Sequence, residues 1–94
     1  MKVRYTLRAF AERERIFEYL NARNPKAASE VVALIGRRIE QLGEQSYKGH
    51  RTSRLGIYTL WITPYRYRVF YRIDVDDDEV VVIKIRHTSQ RPWA

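Results

Sequence analysis

The chain contains no cysteine, so neither a disulfide nor a thiolate metal site can form in it. That absence fits a reducing compartment. Glycine and proline are sparse, at four and three residues, and no repeat or low-complexity stretch divides the chain. No apolar run approaches the ~20 residues that a membrane span needs. The N-terminus also lacks the charged start, greasy middle and small-residue cleavage site of a secretion signal, so the expected location is the cytoplasm. Acids are scarce outside one short run: five of the eleven are Asp74 and residues 76–79, leaving 18 bases against six acids elsewhere. Without a Gly-rich phosphate loop, a cysteine or paired carboxylates beyond that run, we expect no cofactor and no metal. The acidic run itself lacks the glycine and flanking helices of a calcium loop and reads as a solvated hairpin tip.

What the chain does have is positive charge. The formal net charge is +7, with a pI near 10.1. Such a body is drawn to nucleic acid, to ribosomes or to an acidic protein. Its 94 residues, 45% of them hydrophobic, suffice for one core, and a single domain over 1–94 is expected.

Periodicity orders the elements as β-α-α-β-β-β. A first strand over 2–6 turns Val3 and Tyr5 inward, and Thr6 is placed to cap a helix over 8–22. On that helix Ala9, Phe10, Ile16, Phe17 and Leu20 form the apolar stripe, while Glu12, Arg13, Glu14, Arg15 and Glu18 face water. Asn24-Pro25 restarts the chain as a cap and first helical residue. The second helix carries Ala28, Val31, Val32, Ile35, Ile39 and Leu42 on one face. Gly36 suggests a close approach to a neighbouring element, and Gly43 a left-handed helix end. Residues 43–56 form a loop with Lys48, His50, Arg51 and Arg54. Three strands then meander: one over 57–62, one over 65–73, and one over 80–86. In the last, Val81, Ile83 and Ile85 should face in and Val80, Val82, Lys84 and Arg86 out. The expected fold is α+β, a helix hairpin on one face of a mostly antiparallel four-stranded sheet whose other face stays open.

The middle strand of that meander is the functional signal. Tyr67, Val69, Tyr71 and Ile73 alternate with Arg66, Arg68, Phe70 and Arg72, so one face seeks a core and the other offers three guanidinium groups. Like charges two residues apart repel, which points to an anionic partner. Candidate target- or nucleic-acid-binding residues are therefore Lys48, Arg51, Arg54, Arg66, Arg68, Arg72, Lys84, Arg86, Arg91 and Trp93. Aromatic side chains among arginines, Trp93 included, could stack on bases or anchor a protein interface.

Three segments, Asn24-Pro25-Lys26-Ala27-Ala28, residues 49–73 and the closing His87-Thr88-Ser89-Gln90-Arg91-Pro92-Trp93, carry a resemblance over nearly the whole length. The chain resembles the RelE/ParE toxins, the small toxic partners of bacterial type II toxin–antitoxin pairs. The closing His-x-x-x-Arg-x-Trp pattern and the spacing from Gly49 to Pro64 to Ile73 look more like the ParE branch. Characterised ParE members inhibit DNA gyrase, although Tyr58-Thr59-Leu60 stands here in place of that branch's Arg-Glu-Leu. Tyr67-Arg68-Val69-Phe70-Tyr71 is similar to the strand motif of the RelE branch, ribosome-dependent mRNA endonucleases. There Arg68 would align with a phosphate-stabilising arginine. The resemblance implies a cognate antitoxin, DNA gyrase as target with a role of the plasmid-stabilisation kind, and the ribosome with its mRNA as the alternative. A third reading, from the basic residues rather than the resemblance, is a non-catalytic nucleic-acid-binding module.

Cutting RNA through its 2′-hydroxyl needs a base, a cation against the charge on phosphorus and an acid for the leaving oxygen. Arg68 and His87 are the catalytic candidates, with Lys48, His50 or Arg51 from the loop. In a regular last strand His87 shares a face with Ile85, away from Lys84 and Arg86.

Overall fold

The computed structural model describes residues 1–88. Its elements are β1 (Lys2–Tyr5), α1 (Leu7–Asn21), α2 (Pro25–Gln41), β2 (His50–Arg51), β3 (Tyr58–Ile62), β4 (Tyr67–Asp74) and β5 (Glu79–His87). The strands form one sheet in the order β1-β5-β4-β3-β2. β3, β4 and β5 meander antiparallel, and β1 lies parallel to β5 at the edge. The sheet has five strands rather than four because His50 and Arg51 pair with Thr59 and Tyr58. Two residues are too few to leave a periodic trace.

Helix starts follow their caps. Thr6 and Asn24 each accept the third backbone N–H of their helix, from Ala9 and Ala27, and Pro25 takes the first helical position. The core lies between the helices and the near face of the sheet. Ala9, Val31, Ile35, Ile39 and Leu42 pack there against Leu60, Ile62, Tyr67, Val69, Tyr71, Val80, Val82 and Ile85.

Four details depart from the periodic reading. Phe10 and Phe17 stay 56% and 36% exposed on the flank of the α1 stripe, while Arg13 folds inward. The Arg13 guanidinium lies over the Tyr5 ring and donates to its hydroxyl at 3.2 Å; a Cβ on Gly36 would come within 2.8 Å of it. Gly36 thus makes room for an arginine that ties α1, α2 and β1 together. Gly43 is not among the positive-φ glycines; α2 ends through right-handed Leu42, and a Cβ at Gly43 would strike the Met1 carbonyl at 2.7 Å. Arg66 sits at φ 63 in the turn before β4, so it is not part of the strand's alternation.

The fourth departure is in β5. The register slips between Phe70 and Tyr71, leaving Ile83 without an opposite number. Val80 and Val82 therefore join the core, while Val81 pairs with Arg72 on the far face. The Thr6 hydroxyl holds this bulge: it donates to the Ile83 carbonyl at 3.0 Å while accepting from Ala9 N–H at 3.1 Å.

Candidate functional site: the far face of the sheet

Strand alternation places Trp61, Arg68 and Arg86 in one row across the far face, and His50, Thr59, Phe70 and Lys84 in the next. Arg72 and Val81 lie opposite each other beyond the bulge. The middle of this face is not bare: Thr59, Phe70 and Lys84 are 4%, 7% and 1% exposed. Long cationic side chains lie over the rings. The Arg68 guanidinium carbon is 4.6 Å from the Trp61 ring centre and 4.8 Å from that of Phe70, and the Lys84 ammonium is 4.9 Å from Phe70.

The electrostatics are one-sided. Among the described residues the ion pairs are Arg4 with Glu79, Arg8 with Glu12 and Arg72 with Asp74, which leaves Arg66, Arg68 and Arg86 outside them. The Nε atoms of Arg68 and Arg86 and the Thr59 Oγ1 are buried without a hydrogen-bond partner. Burial first, and then the charges of Arg86 and Arg8, with a last small share from Arg54 and an opposing pull from Glu12 that exceeds it, brings the Lys84 ammonium from its ordinary 10.5 down to about 8.

The remaining sequence candidates scatter. Arg51 pairs with Tyr58, whose ring stacks on Tyr71 on the helix side, so it points away from Arg68. Lys48 is exposed in the turn before β2, and Arg54 lies exposed in the β2–β3 connection near enough to act on Lys84. Arg66 is exposed, and its carbonyl accepts from Thr88 N–H at 2.8 Å. Arg91 and Trp93 lie outside the described residues. His87 pairs with Tyr67 and meets its ring edge-on at 5.0 Å, on the helix face. Arg68 and His87 are therefore separated by the thickness of the sheet. His50, by contrast, shares the far face with Arg68.

Periodicity could not show the groove on the helix side. β1 covers β5 only over 79–82, and further along the Glu12 carboxylate accepts the Ile85 N–H at 3.0 Å. Beside that edge is a groove of about 480 Å³ lined by Arg15, Tyr19, Tyr67 and His87 among others. Burial, with Tyr19 nearby, raises the Tyr67 hydroxyl above its ordinary value. At the other end of the sheet, Asp74, Asp77 and Glu79 bring carboxylate oxygens within 4.8 Å of one another. Those acids serve the hairpin itself: Asp74 accepts the Asp77 N–H at 3.1 Å, which holds its carboxyl below the ordinary range, and Glu79 meets Arg4.

Comparison with known proteins places this geometry. Residues 3–92 match the model of the ParE toxin of the type II toxin–antitoxin system parDE. A relative from Sinorhizobium fredii (strain NBRC 101917 / NGR234), named Putative toxin Y4kP, is 30% identical over 90 residues, spanning 96% of this chain and 91% of the relative. Among solved structures, the chromosomal ParDE system of P. aeruginosa superposes with a TM-score of 0.81 at 19% identity, over 93% of this chain and 95% of that one. The E. coli RelBE toxin–antitoxin complex gives a TM-score of 0.69 at 12% identity, over 95% and 98%.

Proposed function

The chain belongs to the ParE toxins of type II toxin–antitoxin systems, and from that premise we propose that it acts in the cytoplasm by binding DNA gyrase, without catalysis, until a cognate antitoxin neutralises it. The observation that carries binding over catalysis is the position of His87. It stands across from Tyr67 on the helix face, whereas Arg68 stands across from Arg86 on the other. A proton-transfer group must reach the reacting atoms at hydrogen-bond distance; the sheet between these two residues counts against their acting as a pair and so supports binding. A supercoiling assay with the purified chain tests the reading. Inhibition that survives His87→Ala is expected, and gyrase left fully active at large toxin excess would overturn it.

One observation favours a second reading, a ribosome-dependent mRNA endonuclease. His50 lies directly across from Thr59, on the same face as Arg68. That enzyme would use His50 for proton transfer and Arg68 for the phosphate. It predicts cut message in a translating extract, lost on His50→Ala and retained on His87→Ala.

The groove between α1 and the stretch of β5 beyond its pairing with β1 offers the antitoxin a seat. An extended acidic segment could supply the carbonyl that Glu12 now imitates at the Ile85 N–H, adding a strand to the sheet. Its side chains would fill the space beside Tyr19 and Tyr67. Complexes of this toxin fold with antitoxins, among them RelBE, support an antitoxin as partner. Tyr19→Asp should weaken capture of the antitoxin at least about tenfold, as loss of an interface anchor does; unchanged capture would move the site elsewhere.

A further inference from the structure

One end of the sheet carries opposite charges side by side. β3 begins at Tyr58, across from Tyr71, and β4 ends at Asp74, so the β2–β3 connection and the β4–β5 hairpin leave the sheet in the same direction. Because β3 and β4 are neighbours, the centres of the two connections lie two strand spacings apart, about 10 Å. The first presents exposed Arg51 and Arg54 with a fully exposed Leu55. The second presents exposed Val75, Asp76, Asp77 and Asp78. Asp74 and Glu79 meet Arg72 and Arg4, and Lys2 lies across from Glu79, yet five acids against three cations leave the tip negative. Each connection is held by its own bonds. The Thr52 hydroxyl donates to the Ile57 carbonyl at 2.9 Å and accepts the Arg54 N–H at 3.2 Å, and Asp78 N–H donates to the Val75 carbonyl at 3.2 Å. Turns already fixed in shape lose little freedom on docking.

This double pattern selects its partner by exclusion. A nucleic acid or an acidic protein drawn to Arg51 and Arg54 meets the acids beside them, and a basic protein drawn to the acids meets the arginines. Only a surface with the same two patches in the opposite order satisfies both. A two-fold axis normal to the sheet at this end generates such a surface from a second copy of the chain. We propose that the chain pairs end to end with itself, the acidic hairpin of each copy facing Arg51 and Arg54 of the other, with Leu55 and Val75 filling the space between. Because both patches lie on one end, the contact closes into a dimer instead of growing into a fibre. Two short connections fall well below the ~1,600 Å² of a standard interface, so the dimer is weak, rapidly exchanging and governed by charge. It requires neither gyrase nor an antitoxin, and it uses an acidic run that target binding leaves idle.

The test is sedimentation velocity of the purified chain over a series of protein and salt concentrations. Each copy carries +7, so long-range repulsion opposes pairing at very low salt. Near 0.1 M the Debye length of about 10 Å screens that repulsion while sparing charges in contact, and near 1 M, at about 3 Å, the contacts are weakened too. The dimer should therefore be strongest around 0.1 M and fade toward both limits. Arg51→Glu with Arg54→Glu, or Asp76→Lys with Asp77→Lys, should each weaken it at least about tenfold. The arginine reversal lowers the net charge, so general repulsion would not explain its loss. A mixture of the two reversed chains has the total charge of two parent chains and makes both contacts attractive again, so it should restore the dimer. Should either reversed chain melt early, Leu55→Ser asks the same question at a fully exposed position, with a severalfold weakening expected. A chain monomeric at every concentration near 0.1 M salt overturns the proposal and leaves this end of the sheet to a partner of different sequence. A dimer that ignores these substitutions overturns it as well, because its interface then lies elsewhere. Reversed chains that stay apart when mixed would show that the acids and arginines do not face each other, and would end the proposed arrangement.

Discussion

The two faces of the sheet are built to opposite standards. On the near face the buried phenol at the centre of the sheet is paired on both sides. The Tyr71 hydroxyl donates to the Ser46 carbonyl at 2.8 Å and accepts the Gly49 N–H at 3.0 Å, pinning the α2–β2 connection to the centre of the sheet. Burial raises that phenol above its ordinary value even though the Gly49 N–H favours its ionised form. On the far face, three buried polar atoms have no partner and two arginines face each other across neighbouring strands. Stability is concentrated where the helices lie; the other face gives some of it up for charge.

That contrast makes the largest mutational effects fall on the near face. At Gly49 a Cβ would lie 2.5 Å from the Tyr71 hydroxyl and 2.6 Å from the Thr59 carbonyl. Gly49→Ala must displace backbone or a buried ring, and a loss of about 3 kcal/mol in urea unfolding is expected. Tyr71→Phe keeps the ring but strands the Ser46 carbonyl and the Gly49 N–H, for a loss of about 1–2 kcal/mol. If both variants unfolded like the parent chain, the near face would not be the stabilising one. Charge removal on the far face should act in the opposite direction. Lys84→Met is expected to gain about 1 kcal/mol, since replacing a buried ion by an apolar residue of similar volume commonly stabilises. The smallest effect belongs to a position on neither face. Asp78 holds φ 54 in the acidic hairpin tip, and Asp78→Gly should be stabilising by no more than about 1 kcal/mol, because glycine adopts that conformation without a steric cost. A Tm lowered by that change would mean that the Asp78 side chain supports the turn.

The near face was also the legible one. Ala28, Val31, Ile35 and Ile39 of α2 are buried as their spacing predicts, and Thr6 and Asn24 announce both helices through local hydrogen bonds. Leu60 and Ile62 reach the core on simple alternation. The reading failed where a tertiary contact overrides local pattern. Phe10 and Phe17 lie on the flank of the α1 stripe and stay outside, while Arg13 on the same side of the helix turns in to pair with Tyr5 under Gly36. Alternation in β5 is correct on the His87 side of Ile83 and inverted on the Glu79 side, because one unpaired residue flips every later side chain. No feature of residues 80–86 announces that bulge; it depends on Thr6, distant in sequence. The far-face arginines were visible as a pattern, but the burial of Lys84 beside them was not. A lysine in an alternating strand reads as solvated until its neighbours are known.

The titration of Lys84 tests most directly whether the far face trades stability for charge. Below about pH 8 the lysine is protonated in both folded and unfolded chains, and above its ordinary 10.5 it is neutral in both. Between those limits the unfolded chain holds a proton that the folded chain has released, so raising the pH favours the fold. Unfolding free energy measured by urea denaturation should therefore climb from pH 8 to 10.5 in the parent chain relative to Lys84→Met, the gap between the two closing as the lysine discharges. Parallel pH profiles for the two proteins would contradict the account, because they would show that Lys84 is not held as a strained charge.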